Sequence, residues 1–388
     1  MAHAIQVSVN PAVLKWARES SGSTVEEAAK RLRVPPNGFA KWESQESSLT
    51  LTQLRQLTSY FKRPLAAFLL PDPPEEPGPP TDYRTLPGSK GRFARETRLA
   101  IRKAQRLRSV AKELMQSLRR ETAPGLERVS LSGAPERIAQ RDRERLAVGV
   151  EDQQNWRNEW EALREWRAAI ERQNVLVFQF SMPVEDARGF SLSDDEPFAI
   201  AVNSSDAVRA RIFTLFHEFA HLLLNDPGVC LPRIGPETNK HEAKIEKWCN
   251  RFAGAFLVPG GALQTALESA GANLEGQKLF DALQETARKF KVSEQVVLRR
   301  LLDLELVTKA SFKDAMEKLI ARAKKTKRKG GPVRPARKCL AENGVFFPSL
   351  VLEARTRGLI THADVSDFLD VRLKHLPEIE SYLAARAT

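Results

Sequence analysis

The sequence predicts a mainly α-helical protein with a small β-sheet, in three parts: an N-terminal helical bundle, a larger α+β domain and a small C-terminal helical module. Three observations predict it. Short amphipathic segments with cap residues fill positions 9–70 and stop at the proline-rich run PDPPEEPGPPT, 71–81, which suits neither a helix nor a central strand. Two apolar strand-like runs, NVLVFQF (174–180) and FAIAVNS (198–204), precede two long helical patterns. A second break, the basic Gly/Pro-containing stretch 321–338, separates a compact tail at 339–388.

In the bundle, VLKWARES is a helical start, and Ser23 or Thr24 caps VEEAAKRL with Glu26 and Glu27 in its first turn. Pro35-Pro36-Asn37 turns the chain into GFAKWES. LTLTQLRQLTSYF follows, capped by Thr50 or Thr52, and PLAAFLL closes the set with Pro64 at its start. Residues 91–121 form a long basic helix. Its apolar stripe is Ala100, Ala104, Leu107, Ala111, Leu114 and Leu118, and arginines in water cover the rest. Residues 122–150 read as a polar, loop-rich stretch. A helix over 151–173 carries Trp156, Trp160 and Trp166 as core or interface anchors. Helices follow at 209–225 and at 241–258, the latter stopped by Pro259-Gly260-Gly261. LFDALQETARKF and SEQVVLRRLLDL add two more, the second capped by Ser293, and another helix begins near Thr361.

Composition narrows the class. The chain has 388 residues, enough for two to four domains, and 42% of them are hydrophobic, ample for packed cores. The net charge of +12 favours an anionic partner such as nucleic acid. Three cysteines, Cys230, Cys249 and Cys339, with no Cys-x-x-Cys pair, argue against a disulfide scaffold and for a reducing cytoplasm. No signal peptide and no uninterrupted apolar run of about 18 residues is found, so no membrane span is expected.

The chemistry lies at His217-Glu218-Phe219-Ala220-His221. Residues four apart share a helix face, so both imidazoles can bind one cation, and neutral imidazole suits Zn²⁺. Manganese or iron could use the same ligands, but nitrogen-rich sites favour zinc. Glu218 reaches the water side of such a site and suits a general base. Two histidines on a helix can also be ordinary core residues. Against that, only six histidines exist in the chain, the flanks FTLF and LLL predict burial, and unpaired buried histidines are costly. The third ligand lies in HEAKIEKWCNRF, where His241, Glu242, Glu246 and Cys249 are all candidates and spacing does not choose among them.

These blocks resemble the ImmA/IrrE family of zinc metallopeptidases. Arg188-Gly189-Phe190-Ser191 and Ile200-Ala201-Val202-Asn203 are similar to the strands before the family's active-site helix. Phe213 to His221 is similar to its signature, and Glu246 to Ala253, ending at Leu257-Val258-Pro259, to its second helix. The resemblance implies a zincin-like domain over 82–310 in which Glu246, four residues before Asn250, is the third zinc ligand. The family usually has Glu-Ala where this chain has Trp248-Cys249, which makes Cys249 a candidate inhibitory thiol.

Residues 11–70 resemble the XRE/Cro family of helix-turn-helix domains. Ala28 to Leu32 corresponds to the first helix of the motif and Asn37 to Ser44 to the recognition helix, which implies DNA contacts by Asn37, Lys41, Ser44 and Gln45. Tyr83 to Pro87 resembles the segment joining such domains in combined proteins. Together the resemblances imply a cytoplasmic zinc endopeptidase fused to a DNA-binding domain. It would cleave a transcriptional repressor or other regulator, itself a helix-turn-helix protein, in a stress, phage or mobile-element response. The substrate would lie along the strand FAIAVN as an added edge strand, and a homodimer is the default for the DNA-binding part. The competing expectation is a transcriptional regulator or antitoxin component whose peptidase fold is a sensor or scaffold. A further variant has single-stranded nucleic acid, bound by the basic segments, gating the peptidase.

Overall fold

The computed structural model describes residues 5–44, 47–74, 93–225, 229–230, 240–268, 276–323 and 333–387. It is mainly helical with two small sheets, and it divides into two compact units, Met1–Lys103 and Ala104–Thr388.

The first unit opens with a short strand, β1 (Gln6–Val9), then α1 (Pro11–Ser20), α2 (Val25–Leu32) and α3 (Pro36–Ser44), a second strand β2 (Ser47–Thr50), α4 (Leu51–Phe61) and a 3₁₀ turn at Leu65–Leu69. The antiparallel pairing of β1 with β2 is not expected from the sequence, since each strand offers only four residues. Local chemistry sets the helix starts. Thr24 and Glu27 form a reciprocal capping box on α2, and Thr50 and Gln53 form one on α4. Arg33, in the left-handed region at φ 58°, turns the chain between α2 and α3. Phe39, Leu54, Leu57, Phe61 and Phe68 fill the core under them.

Helix α5 (Arg95–Ser117) spans the division between the units. Its predicted apolar stripe is buried from Ala100 to Leu118. Its cations, however, are not simply in water. Within the first unit Arg95 stacks on Tyr60 at 4.3 Å and Arg102 donates to the carbonyls of Phe61 and Lys62. Within the second, Arg108 grips Asp194 through both terminal nitrogens, Lys112 bonds Asp195, and Arg106 pairs with Asp367.

The second unit begins with α6 (Pro135–Arg145), α7 (Val150–Asn155) and α8 (Glu159–Glu171). Strands β3 (Leu176–Phe180), β4 (Gly189–Leu192) and β5 (Ala199–Asn203) follow, then α9 (Val208–Leu224), the two-residue β6 (Val229–Cys230) and α10 (Lys240–Leu257). Helices α11 (Gly260–Glu268), α12 (Gly276–Phe290), α13 (Glu294–Asp303) and α14 (Lys309–Ala323) come next. The tail is α15 (Pro335–Asn343), α16 (Phe346–Thr356), α17 (His362–Leu369), a 3₁₀ turn at Leu373–His375 and α18 (Leu376–Ala387). Ser293 caps α13 and Thr361 caps α17, as the sequence predicts.

Several expectations need correction. The stretch 122–150 is not loop throughout. It holds α6, which packs along α10 and buries Ile138, Ala139, Asp142 and Arg143. Polar residues hid it, because Arg143 is bonded to the carbonyls of Phe256 and Gly149 rather than solvated. The helix at 151–173 is two helices, broken where Trp156 takes an extended conformation (ψ 137°). Trp166 is buried and meets Trp156 edge-on at 5.0 Å, but Trp160 is 53% exposed and so is no core anchor. Pro259-Gly260-Gly261 ends α10 and at once starts α11. The basic stretch 321–338 is helical at both ends, in α14 and α15, and 324–332 lies outside the described residues. So do 75–81 of the proline-rich run, Tyr83 to Pro87 and Gln45.

The sheet order is β3-β5-β4-β6. β5 pairs in parallel with β3 and antiparallel with β4, so the strand FAIAVN is central. It has no free edge for a substrate to join, which overturns the edge-strand expectation: Gly189–Leu192 takes the other edge of β5.

Candidate metal centre

Helix α9 is buried on nearly every side from Ile212 to Leu223. It is held by β4 and β5 on one flank and α10 on another. Against α10 the contact is aromatic: Phe216 stacks on Phe256 at 4.1 Å, and Phe219 lies against Phe252. Trp248 of α10 stacks on Phe252 at 5.5 Å and donates its indole N–H to the carbonyl of Gly133. This packing sets the rotation of α10 about its axis, and so decides which of its polar residues faces α9.

That residue is Glu246. Its Oε2 lies 3.3 Å from His217 Nε2 and its Oε1 lies 3.2 Å from His221 Nε2, while the two Nε2 atoms are 3.2 Å apart. One ligand atom from each of the three lies within 4.8 Å of the others, the only such cluster among the described residues. His241 and Glu242 are exposed at the start of α10 and, like Cys249, lie outside the cluster. Of the four candidates left open by spacing, only Glu246 lies in this cluster.

The donor set suits a cation. Two imidazole nitrogens and two carboxylate oxygens, all able to offer lone pairs, converge at hydrogen-bond distance in a buried place. The electrostatics are those of a strongly coupled group. Burial works against ionisation of Glu246, but its contacts with His217 and His221 outweigh it and hold the carboxyl well below the usual range. Burial likewise pulls His221 down, yet Cys249, Glu246 and Glu218 together drive it well above its ordinary value.

Glu218 is fully buried, and burial pushes its carboxyl up against the opposing pull of His221 and His217. Its Oε2 has no hydrogen-bond partner, whereas the carboxylate does have a bond to the Ser191 hydroxyl on β4. β4 can approach this closely because residue 189 is glycine. A Cβ there would sit 2.5 Å from Thr214 Cγ2, 3.0 Å from the Ala201 carbonyl and 3.4 Å from Glu218 Cγ. Sequence reasoning quoted Gly189 and Ser191 within a strand but gave them no role. The missing signal was that β4 lies directly on α9.

Residues 170–302 match the family model of the IrrE N-terminal-like domain, Peptidase_M78. The match runs from the end of α8 to the end of α13, so it contains the sheet and all four residues of the centre. It supports a metallopeptidase. The first unit and the helices from α14 onward fall outside it. Comparison with curated proteins gave no match.

Of the residues expected to touch DNA, Asn37, Lys41 and Ser44 are exposed on α3, spaced four and three apart on one face. Phe39 points inward, and Glu43 is bound to Arg18 of α1 at 2.7 Å. Among the described residues no helix is long and apolar enough to cross a membrane.

Proposed function

We propose that this chain is a zinc-dependent endopeptidase in which His217, His221 and Glu246 hold the metal and Glu218 is the general base. The observation that carries the reading is the convergence of those three ligands on a buried helix face inside the family-matched segment. Zinc bound there supplies Lewis acidity to a water molecule and to the scissile carbonyl. The chain's own residues do the rest. Glu218 takes a proton from the water and passes it to the leaving amine. Its burial raises its proton affinity, which suits a group that must hold a proton between two steps. Ser191 anchors the carboxylate through a hydrogen bond from its hydroxyl.

In this reading the substrate is a selected regulator, a helix-turn-helix repressor in a stress, phage or mobile-element response, met in the cytoplasm. The first unit would bring the enzyme to DNA as a homodimer. Supporting this are two short helices joined by a tight turn and an exposed polar face on the second, with Asn37, Lys41 and Ser44 as the reading residues. The same exposed face supports the second reading, a DNA-binding regulator whose peptidase fold is a sensor.

Elemental mass spectrometry of the wild type and of His217→Ala, Glu246→Ala and Glu218→Gln tests the centre. About one zinc per chain is expected in wild type and Glu218→Gln, and none in the other two. Zinc unaffected by His217→Ala, or absent from wild type, would leave the regulator reading in possession. Glu218→Gln then serves as a trap: a regulator that co-purifies with it, and is cleaved by wild type, is the substrate.

A further inference from the structure

Among the described residues, Cys249 is a reactive side chain beside the centre that the proposed chemistry does not use. It lies three residues after Glu246, on the side of α10 that faces α9, and it is completely buried. Direct coordination would place its sulfur with the other ligand atoms. It is not there: the cluster comprises His217, His221 and Glu246 alone. The thiol instead makes a hydrogen bond with the imidazole of His221.

The two histidines differ in this respect. Both turn Nε2 toward Glu246. A neutral imidazole that gives Nε2 to a metal carries its proton on Nδ1, and that N–H needs an acceptor when buried. His217 Nδ1 is buried with no hydrogen-bond partner. His221 has Cys249.

We propose that Cys249 is a positioning residue that fixes the ring of His221 from outside the metal site, its sulfur accepting the imidazole N–H, and that it is not a ligand. This rests on the metallopeptidase reading. It differs from the inhibitory role expected from the sequence: the sulfur lies outside the ligand cluster and is bonded to one ligand's imidazole. A fully buried sulfur bonded to His221 also explains how the chain can carry a thiol beside a catalytic metal without the thiol capturing it.

The test uses the full-length protein loaded with cobalt(II) or zinc, in wild type, Cys249→Ala, Cys249→Ser and Glu246→Ala, with far-ultraviolet circular dichroism to confirm folding. In wild type, cobalt should show visible d–d bands and no near-ultraviolet sulfur-to-cobalt charge-transfer band. Competition with a chromophoric chelator should show metal affinity weakened about 10–100-fold in Cys249→Ala, the range for loss of an outer hydrogen-bond partner, and close to wild type in Cys249→Ser, whose hydroxyl also accepts. A charge-transfer band in wild type that vanishes in Cys249→Ala would make the sulfur a ligand and overturn the proposal. Affinity equal to wild type in Cys249→Ala would also overturn it, as would a Cys249→Ser affinity as weak as that of Cys249→Ala. If Glu246→Ala loses the metal while Cys249→Ala does not, only this inference fails. If wild type binds no stoichiometric metal, the metallopeptidase reading fails and takes this one with it.

Discussion

Two buried polar clusters in the second unit invite comparison. One is the His217–His221–Glu246 centre with Glu218 on α9. The other joins α8 and β3 to the C-terminal helices. There Glu171 Oε2 accepts the N–H groups of Val345 at 3.0 Å and Phe346 at 3.4 Å, at the start of α16. Arg167, four residues earlier, donates to the carbonyls of Ala341 at 2.7 Å and Val177 at 2.6 Å, and Gln179 also donates to Ala341. Both clusters bury a glutamate, and in both burial pushes the carboxyl up, for Glu171 to about 7. They differ in what converges. Around Glu171 donors meet acceptors and the charges are largely answered from within the chain. Around Glu246 two imidazoles and a carboxylate, each able to offer a lone pair to one point, crowd together. Burial and a displaced pKa are therefore not enough to mark a site; convergence of several potential ligand atoms on one point is the sharper sign.

That contrast can be broken at several points. The first effect belongs to the metal. Wild type should melt higher with excess zinc than with chelator, by about 2.7 kcal/mol of added stability at a hundredfold excess over the dissociation constant. His217→Ala should show no zinc effect in the same scan. Arg167→Met should keep the zinc effect, and would contradict the contrast if it did not. By itself Arg167→Met should cost about 3–5 kcal/mol, because it removes the cation beside a buried carboxylate and the guanidinium donors to the Val177 and Ala341 carbonyls, read as a fall in the urea midpoint.

Gly344→Ala should cost less, about 1–3 kcal/mol in the same assay. Residue 344 has φ +74°, and a Cβ there would overlap Glu171 Oε1, so the start of α16 would have to move. A further effect is one of pH. Glu171 is raised from 4.5 to about 7 in the folded chain, chiefly by burial. Between those values the unfolded chain gives up its proton and the folded chain keeps it, so stability should fall as pH rises through this window and level off above it. Glu171→Gln should flatten that slope, and an unchanged slope would show that Glu171 is not its source.

The legible parts of the protein follow one rule. His217 and His221 could be placed together because four residues is one helical turn, and Glu218 could be assigned from its place beside them. The caps at Thr24, Thr50, Ser293 and Thr361 were equally local. Helix α6 was not legible, since PERIAQRDRER has the composition of a loop until Phe256 and Gly149 supply carbonyls to Arg143. Ser191 was not legible as a partner of Glu218, because 26 residues of sequence and a strand pairing lie between them.

The sequence by itself determined the helix with two imidazoles on one face, the strand-like runs before it and the caps that start the helices, because these depend on residues within a turn or two of each other. Tertiary structure alone decided the rest. The stacking of Phe216 on Phe256 fixes the rotation of α10, so that Glu246 meets the histidines while His241 and Glu242 stay exposed and Cys249 lies outside the cluster, bonded to His221. β4, made close by Gly189, covers the second edge of β5 and brings Ser191 to Glu218. The physical reason is that helix rotation and strand order are set by side chains packing across the core, and no periodicity along one segment records which face its distant partner will choose.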